Sequence, residues 1–291
     1  MGALCLAVDI GGTKIAAGIV DEGGQLLFDR RVPTPCGERA DVWGVVAQLV
    51  GAVADEAGSF VACGVGCGGP MVAGGEEVSP LNIPAWRGFP LRARLAELTG
   101  VPVFVDNDAK ALALAEGWTG GAESVGNYLA MVVSTGVGGG IVLDGRLLEG
   151  RLGNAGHIGH VVVSPRGRPC RCGGRGCLEA EASGSAIAAI TGRPASQADP
   201  PMVRRCGRLV GRAVASVANL LDLDLALVAG SVALGFGEPF FEAAQREVRR
   251  RSGLDFSAGT TVRPAGLGAS APLVGAGAVA WRGIGRLRLG G

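Results

Sequence analysis

The segment Ala7-Val8-Asp9-Ile10-Gly11-Gly12-Thr13-Lys14-Ile15-Ala16-Ala17-Gly18-Ile19-Val20 constrains the fold more than any other stretch. Two apolar runs flank a turn that carries an acid, two glycines and a lysine. Residues 4–10, 14–20 and 25–31 read as strands, the last two joined by the turn Asp21-Glu22-Gly23-Gly24. Adjacent glycines tolerate φ > 0 and let another group come close to the backbone. Asp9 and Lys14 beside them imply that the visitor is charged.

Glycine loops of the Walker or dinucleotide-binding type lead from a strand into a helix. Here the glycines join strand to strand, so the turn's own N–H groups would cradle an anion. The plan then recurs. Strand 129–133 enters the glycine-rich turn Ser134-Thr135-Gly136-Val137-Gly138-Gly139-Gly140, followed by strand 141–143, the turn Asp144-Gly145 and strand 146–148. A repeated meander predicts a duplicated α/β fold with a cleft between its halves. Helical patterns cover roughly 41–58, 91–98, 109–117, 202–221 and 273–281. Pro102-Val103-Phe104-Val105 predicts a strand that delivers Asp106-Asn107-Asp108 to its carboxyl end, where open α/β sheets expose their working residues. Another glycine turn, Ala229-Gly230-Ser231, follows the strand pattern at 225–228.

At 291 residues the chain accommodates two domains of ordinary size or one large α/β unit. With 27 basic and 26 acidic side chains it has no global field to attract nucleic acid or an anionic membrane. Its apolar runs are interrupted before they could span a bilayer, and no leader pattern is evident, so a reducing cytoplasm is expected. In that compartment Cys170, Cys172 and Cys177, with His160, read as ligands of a structural Cys₃His zinc site on a glycine-rich loop. The remaining cysteines, Cys5, Cys36, Cys63, Cys67 and Cys206, read mostly as small core residues.

Several motifs then fall in one order: Asp-x-Gly-Gly-Thr-Lys from Asp9, Asn107-Asp108, Ser134-Thr135-Gly136-x-Gly138-Gly139-Gly140, Gly156-x-x-Gly159-His160, and Cys170-x-Cys-Gly-x-x-Gly-Cys-x-Glu179. In this the chain resembles the ROK family of sugar kinases, within the actin/hexokinase-like (ribonuclease H-like) duplicated ATPase fold. The resemblance implies a smaller α/β domain over 1–106, completed by a C-terminal helix at 272–291, and a larger one over 107–271 carrying the zinc loop. It implies ATP and Mg²⁺ as cofactors and a homodimer. Asp108 would be the catalytic base, although a helix N-cap is the alternative for Asn107 or Asp108. Asp9 would orient Mg²⁺ through water. Gly11, Gly12, Thr13 and Lys14 would line one side of the triphosphate, with Thr135 and Gly136 on the other and Gly230 among the nucleotide contacts. Asn82, Asn107, Asp108, His157, His160 and Glu179 would face the sugar hydroxyls.

One position departs from the glucokinase pattern, in which Glu-x-Gly-His stands where this chain has His157-Ile158-Gly159-His160. An imidazole offers one donor and one acceptor in place of a two-oxygen acceptor. Similar His-x-Gly-His segments occur in bacterial N-acetylmannosamine kinases of the family. The expected reaction is phosphorylation of the 6-hydroxyl of glucose, with N-acetylmannosamine or another specialised sugar as the alternative. A sugar-responsive transcriptional regulator without its DNA-binding domain is the alternative of another class.

Overall fold

The computed structural model describes residues 2–289. Its first half is built from β1 (Leu4–Ile10), β2 (Lys14–Asp21), β3 (Leu26–Pro33), α1 (Val42–Ala57), β4 (Ala62–Cys67), α2 (Leu91–Thr99) and β5 (Val103–Asn107). Then come α3 (Asp108–Thr119), β6 (Tyr128–Val133), β7 (Val137–Leu143), β8 (Arg146–Leu147), α4 (Leu178–Ala182), α5 (Gly184–Thr191) and α6 (Pro200–Leu221). The chain continues through β9 (Leu225–Ala229), α7 (Ser231–Phe236), α8 (Glu238–Arg251), β10 (Thr261–Pro264) and α9 (Ala271–Gly283).

Among the described residues the strands form two five-stranded sheets, ordered β3-β2-β1-β4-β5 and β10-β9-β6-β7-β8. Each has an antiparallel meander (β1-β2-β3, β6-β7-β8) extended by two parallel strands (β4-β5, β9-β10). The duplication read from the glycine turns is therefore present in the hydrogen-bonding pattern. One apolar core lies under the first sheet around Leu6, Val8, Val50 and Leu95, and another under the second around Met131, Val214 and Phe240. Helices α3 and α9 lie between the sheets with Tyr128, Ala130 and Leu227.

Small residues make that middle layer possible. A Cβ on Gly64 of β4 would stand 1.9 Å from the Ala276 carbonyl oxygen, so α9 rests directly on the first sheet. The C-terminal helix thus packs on the first sheet and spans Ala271–Gly283, where 272–291 was expected. The chain turns at Gly285, where φ is 77°, and residues 290 and 291, with Met1, lie outside the described residues.

Helix limits follow local chemistry. Asp41 caps α1, accepting from the Gly44 N–H at 2.8 Å, and Asp199 caps α6, accepting from Met202. The expected glycine turn at 134–140 is shorter than predicted, because Gly138, Gly139 and Gly140 belong to β7. Gly138 and Gly140 are small because α3 crosses them closely, a Cβ on Gly140 meeting Lys110 Cα at 2.8 Å; a Cβ on Gly139 would instead meet Ile158 at 2.9 Å. The sequence reading did not identify α4, α5, α7, α8, β4 or β10. The first three are at most eight residues long, too short for a helical period to stand out.

Candidate active site

Sheet register builds the centre of the site. Asp9 on β1 pairs with Gly66 on β4, and Gly66 with Asp106 on β5; one step further, Ile10, Cys67 and Asn107 align. Asp108 begins α3 immediately beyond that edge. A Cβ on Gly66 would lie 3.7 Å from both Asp9 Oδ1 and Asp108 Cα, so this glycine separates the two acids. Asn107 is the N-cap, its Oδ1 accepting from the Ala109 N–H at 3.0 Å, and Asp108 Oδ1 accepts from the same N–H at 2.8 Å. The capping alternative is thus correct for Asn107, and Asp108, the first residue of the helix, is exposed.

No arginine or lysine is hydrogen-bonded to either acid among the described residues. Asp9 is 8% exposed, and burial, then repulsion from Asp108, pushes its carboxyl up to about 7. Lys14 and Arg31 oppose that shift only weakly. Asp108 opens on the cleft, yet the surrounding protein strips enough water to raise its pKa as well. Two oxygen donors on either side of Gly66 suit Mg²⁺, a hard cation.

Gly11 and Gly12 are not in the positive-φ region. Their absent side chains serve close approach instead, with Gly12 against Asn82 and Gly11 against the Lys14 carbonyl. Thr34, which sequence reasoning missed, braces this hairpin: its Oγ1 donates to Gly11 O at 2.7 Å and its N–H to Thr13 O at 3.1 Å. The signal was available in register, since β3 returns Thr34 beside the turn. Thr13 and Lys14 are exposed.

On the opposite wall Ser134 Oγ lies 2.9 Å from Ser231 Oγ, joining the Thr135-Gly136 turn to the Gly230 turn. Gly230 has φ 99°, and a Cβ there would stand 2.3 Å from Val133 O, so only glycine fits. Ser231, Val232, Gly235 and Phe236 border a cavity of about 460 Å³. Glu179 uses one oxygen to accept from the Val137 N–H at 2.9 Å, fixing the same turn from the side of the cysteine loop.

The remaining sugar-side candidates meet there. His157 faces Asp108 and Glu179, and its ring centroid is 6.1 Å from that of His160. Burial, reinforced by His160, lowers its pKa, so the imidazole is neutral at pH 7. His160 turns Nδ1 toward Cys170 Sγ at 3.7 Å, and Cys172 Sγ lies 3.7 Å from Cys177 Sγ. All four ligand atoms fall within 4.8 Å of one another. A tetrahedron with Zn–S bonds of about 2.3 Å has edges of about 3.8 Å, so the four side chains could hold zinc. Cys5, Cys63, Cys67 and Cys206 are buried as expected, whereas Cys36 is exposed.

A sequence model described as ROK family matches residues 5–282. The chain belongs to the ROK family. A member named N-acetylmannosamine kinase, from Haemophilus influenzae, is 39% identical over 250 residues, covering 80% of this chain and 82% of its own. The ROK hexokinase of Thermus thermophilus superposes with a TM-score of 0.83 at 38% identity, over 97% of this chain and 99% of its own. A ROK glucokinase from Streptomyces griseus, solved with glucose and AMPPNP, matches with a TM-score of 0.83 at 32% identity over 96% and 100%. The fold is therefore the actin/hexokinase-like one, and like these ROK relatives the protein is a phosphotransferase. No helix among the described residues is long and apolar enough to cross a membrane.

Proposed function

We propose that this protein transfers the γ-phosphate of ATP to the 6-hydroxyl of a hexose-type sugar, and that N-acetylmannosamine is its preferred acceptor. The observation that carries the kinase reading is the pair of acids, Asp9 and Asp108, facing one cleft without a basic side chain bound to either. Asp108, with its raised pKa, accepts the proton of the attacking hydroxyl at one carboxylate oxygen. Asp9 supplies an oxygen toward Mg²⁺, which when bound neutralises phosphate charge. The Gly11–Lys14 hairpin and the Thr135-Gly136 turn hold the phosphates from two sides with backbone N–H groups. The cavity beside Ser231 takes the adenine, which its apolar walls suit. Zinc held by His160, Cys170, Cys172 and Cys177 pins the loop between His157 and Glu179. The halves are residues 1–106 with α9, and 107–271.

The choice of sugar rests on His157. A neutral imidazole donates one hydrogen bond to an acetamido carbonyl, whereas a carboxylate there would repel it. Similarity to the N-acetylmannosamine kinases supports the same choice. Glucose is the second reading, supported by the likeness to the Streptomyces griseus glucokinase along nearly the whole chain. A homodimer in the cytoplasm is proposed on the family resemblance alone and is checked by light scattering.

A coupled ADP-release assay with glucose, mannose, fructose, N-acetylmannosamine, N-acetylglucosamine and allose tests the reading. N-acetylmannosamine should lead glucose in kcat/KM by at least about tenfold, the scale of one well-made polar contact. The lead should shrink in His157→Glu. Glucose in the lead supports the second reading, and turnover of no sugar contradicts the kinase assignment.

A further inference from the structure

Lys110 stands in the first turn of α3, two residues beyond Asp108, and its side chain is 2% exposed. Both facts are unfavourable by themselves, since a buried ammonium loses its water and a helix N-terminus repels positive charge. Three acceptors surround it. Lys110 Nζ donates to Glu149 Oε2 and to the Gly153 carbonyl at 3.1 Å, and is ion-paired with Asp106 Oδ1 at 2.9 Å. Arg282, in the last turn of α9, completes the group, reaching Glu149 Oε1 at 2.7 Å and Asp106 Oδ2 at 4.0 Å. Two acids and two bases balance.

The members come from separate parts of the molecule: the end of β5, the start of α3, the end of α9, and the loop after β8. Glu149 and Gly153 begin the segment that ends at His157 and His160. The same Lys110 also lies next to the catalytic end of α3. We propose that Lys110 is a positioning residue, an electrostatic tie that holds the 149–157 loop, and with it His157, in register with Asp108. This rests on the sugar-kinase reading of the site. The tie sets sugar affinity and has no contact with the nucleotide walls at Ser134 or Gly230.

The test compares Lys110→Met, Glu149→Gln and the double variant. Hydrogen exchange is measured without ligands, and KM separately for N-acetylmannosamine and ATP. Each single variant should raise exchange in 149–157 while sparing α6. Each should raise sugar KM by about tenfold with ATP KM changed less than about twofold. The double variant should be no worse than Lys110→Met, because the two side chains act as one unit. Glu149 is half exposed, so Glu149→Gln keeps the test open should Lys110→Met fail to fold. Unchanged exchange in 149–157, equal rises in both KM values, or additive losses would overturn the proposal. Should the wild type phosphorylate no sugar, the functional reading fails, and the exchange data alone decide the tie.

Discussion

Two sets of acidic side chains in this protein sit in opposite electrostatic settings. Glu247, on α8, is 5% exposed at its side chain and is gripped by Arg212 Nε at 2.9 Å and Arg251 Nε at 2.6 Å. Those guanidinium groups outweigh burial and hold its carboxyl below the usual range. Asp9 and Asp108 have no such partners: burial, then repulsion from Asp108, drives Asp9 up, and burial drives Asp108 up. The first arrangement joins two helices and is complete within the chain. In the proposed reading a cation and a sugar hydroxyl complete the second. Carboxylates matched by arginines stabilise the fold, and carboxylates left unmatched at a sheet edge are available for chemistry.

The largest effect expected from breaking this contrast is on turnover. Asp108→Asn keeps the acceptor for the Ala109 N–H but loses basicity, so kcat should fall by at least about 10²-fold with zinc content and fold unchanged. Steady-state kinetics with metal analysis checks this.

Next is the zinc loop. Purified protein should contain about one zinc per chain, and Cys172→Ser should lose it together with at least about tenfold in kcat/KM for the sugar. Full activity in zinc-free protein would remove the loop from the account.

Glu247→Gln probes the matched side. It should cost about 1–3 kcal/mol, less than a fully buried pair because Arg212 and Arg251 are more than a third exposed. Thermal melting should register the loss while kcat stays at the wild-type value. The depressed pKa means that this contribution is present above the ordinary glutamate pKa and fades as pH falls through the folded value.

How much of this was legible in the sequence follows from distance along the chain. Asp9, the Gly11–Lys14 hairpin, Asn107-Asp108 and the zinc ligands lie in short motifs whose spacing carries their chemistry, and the structure brings them together. Thr34, Gly66 and the Lys110–Glu149–Arg282 group act through strand register or helix crossing over tens of residues, which no local pattern displays. The glycines of β7 were misread as a turn for the same reason. Their small size answers to neighbours packed across them, α3 at Gly138 and Gly140 and the 156–158 segment at Gly139, and not to their own backbone. Helix α8 went unidentified although its basic last turn, Arg249-Arg250-Arg251, suits a helix C-terminus.

The central claim is that Asp9 and Asp108 are unmatched until ligands bind, and melting of the ligand-free protein tests it most directly. A carboxyl held at about 7 when folded and near 3.8 when unfolded lowers stability progressively as pH rises between those values. Asp9→Asn should therefore raise Tm at pH 8 by several degrees relative to wild type, with little difference at pH 4, while turnover collapses. A lower Tm at pH 8 would mean that the chain already holds a partner for this charge, and would contradict the account.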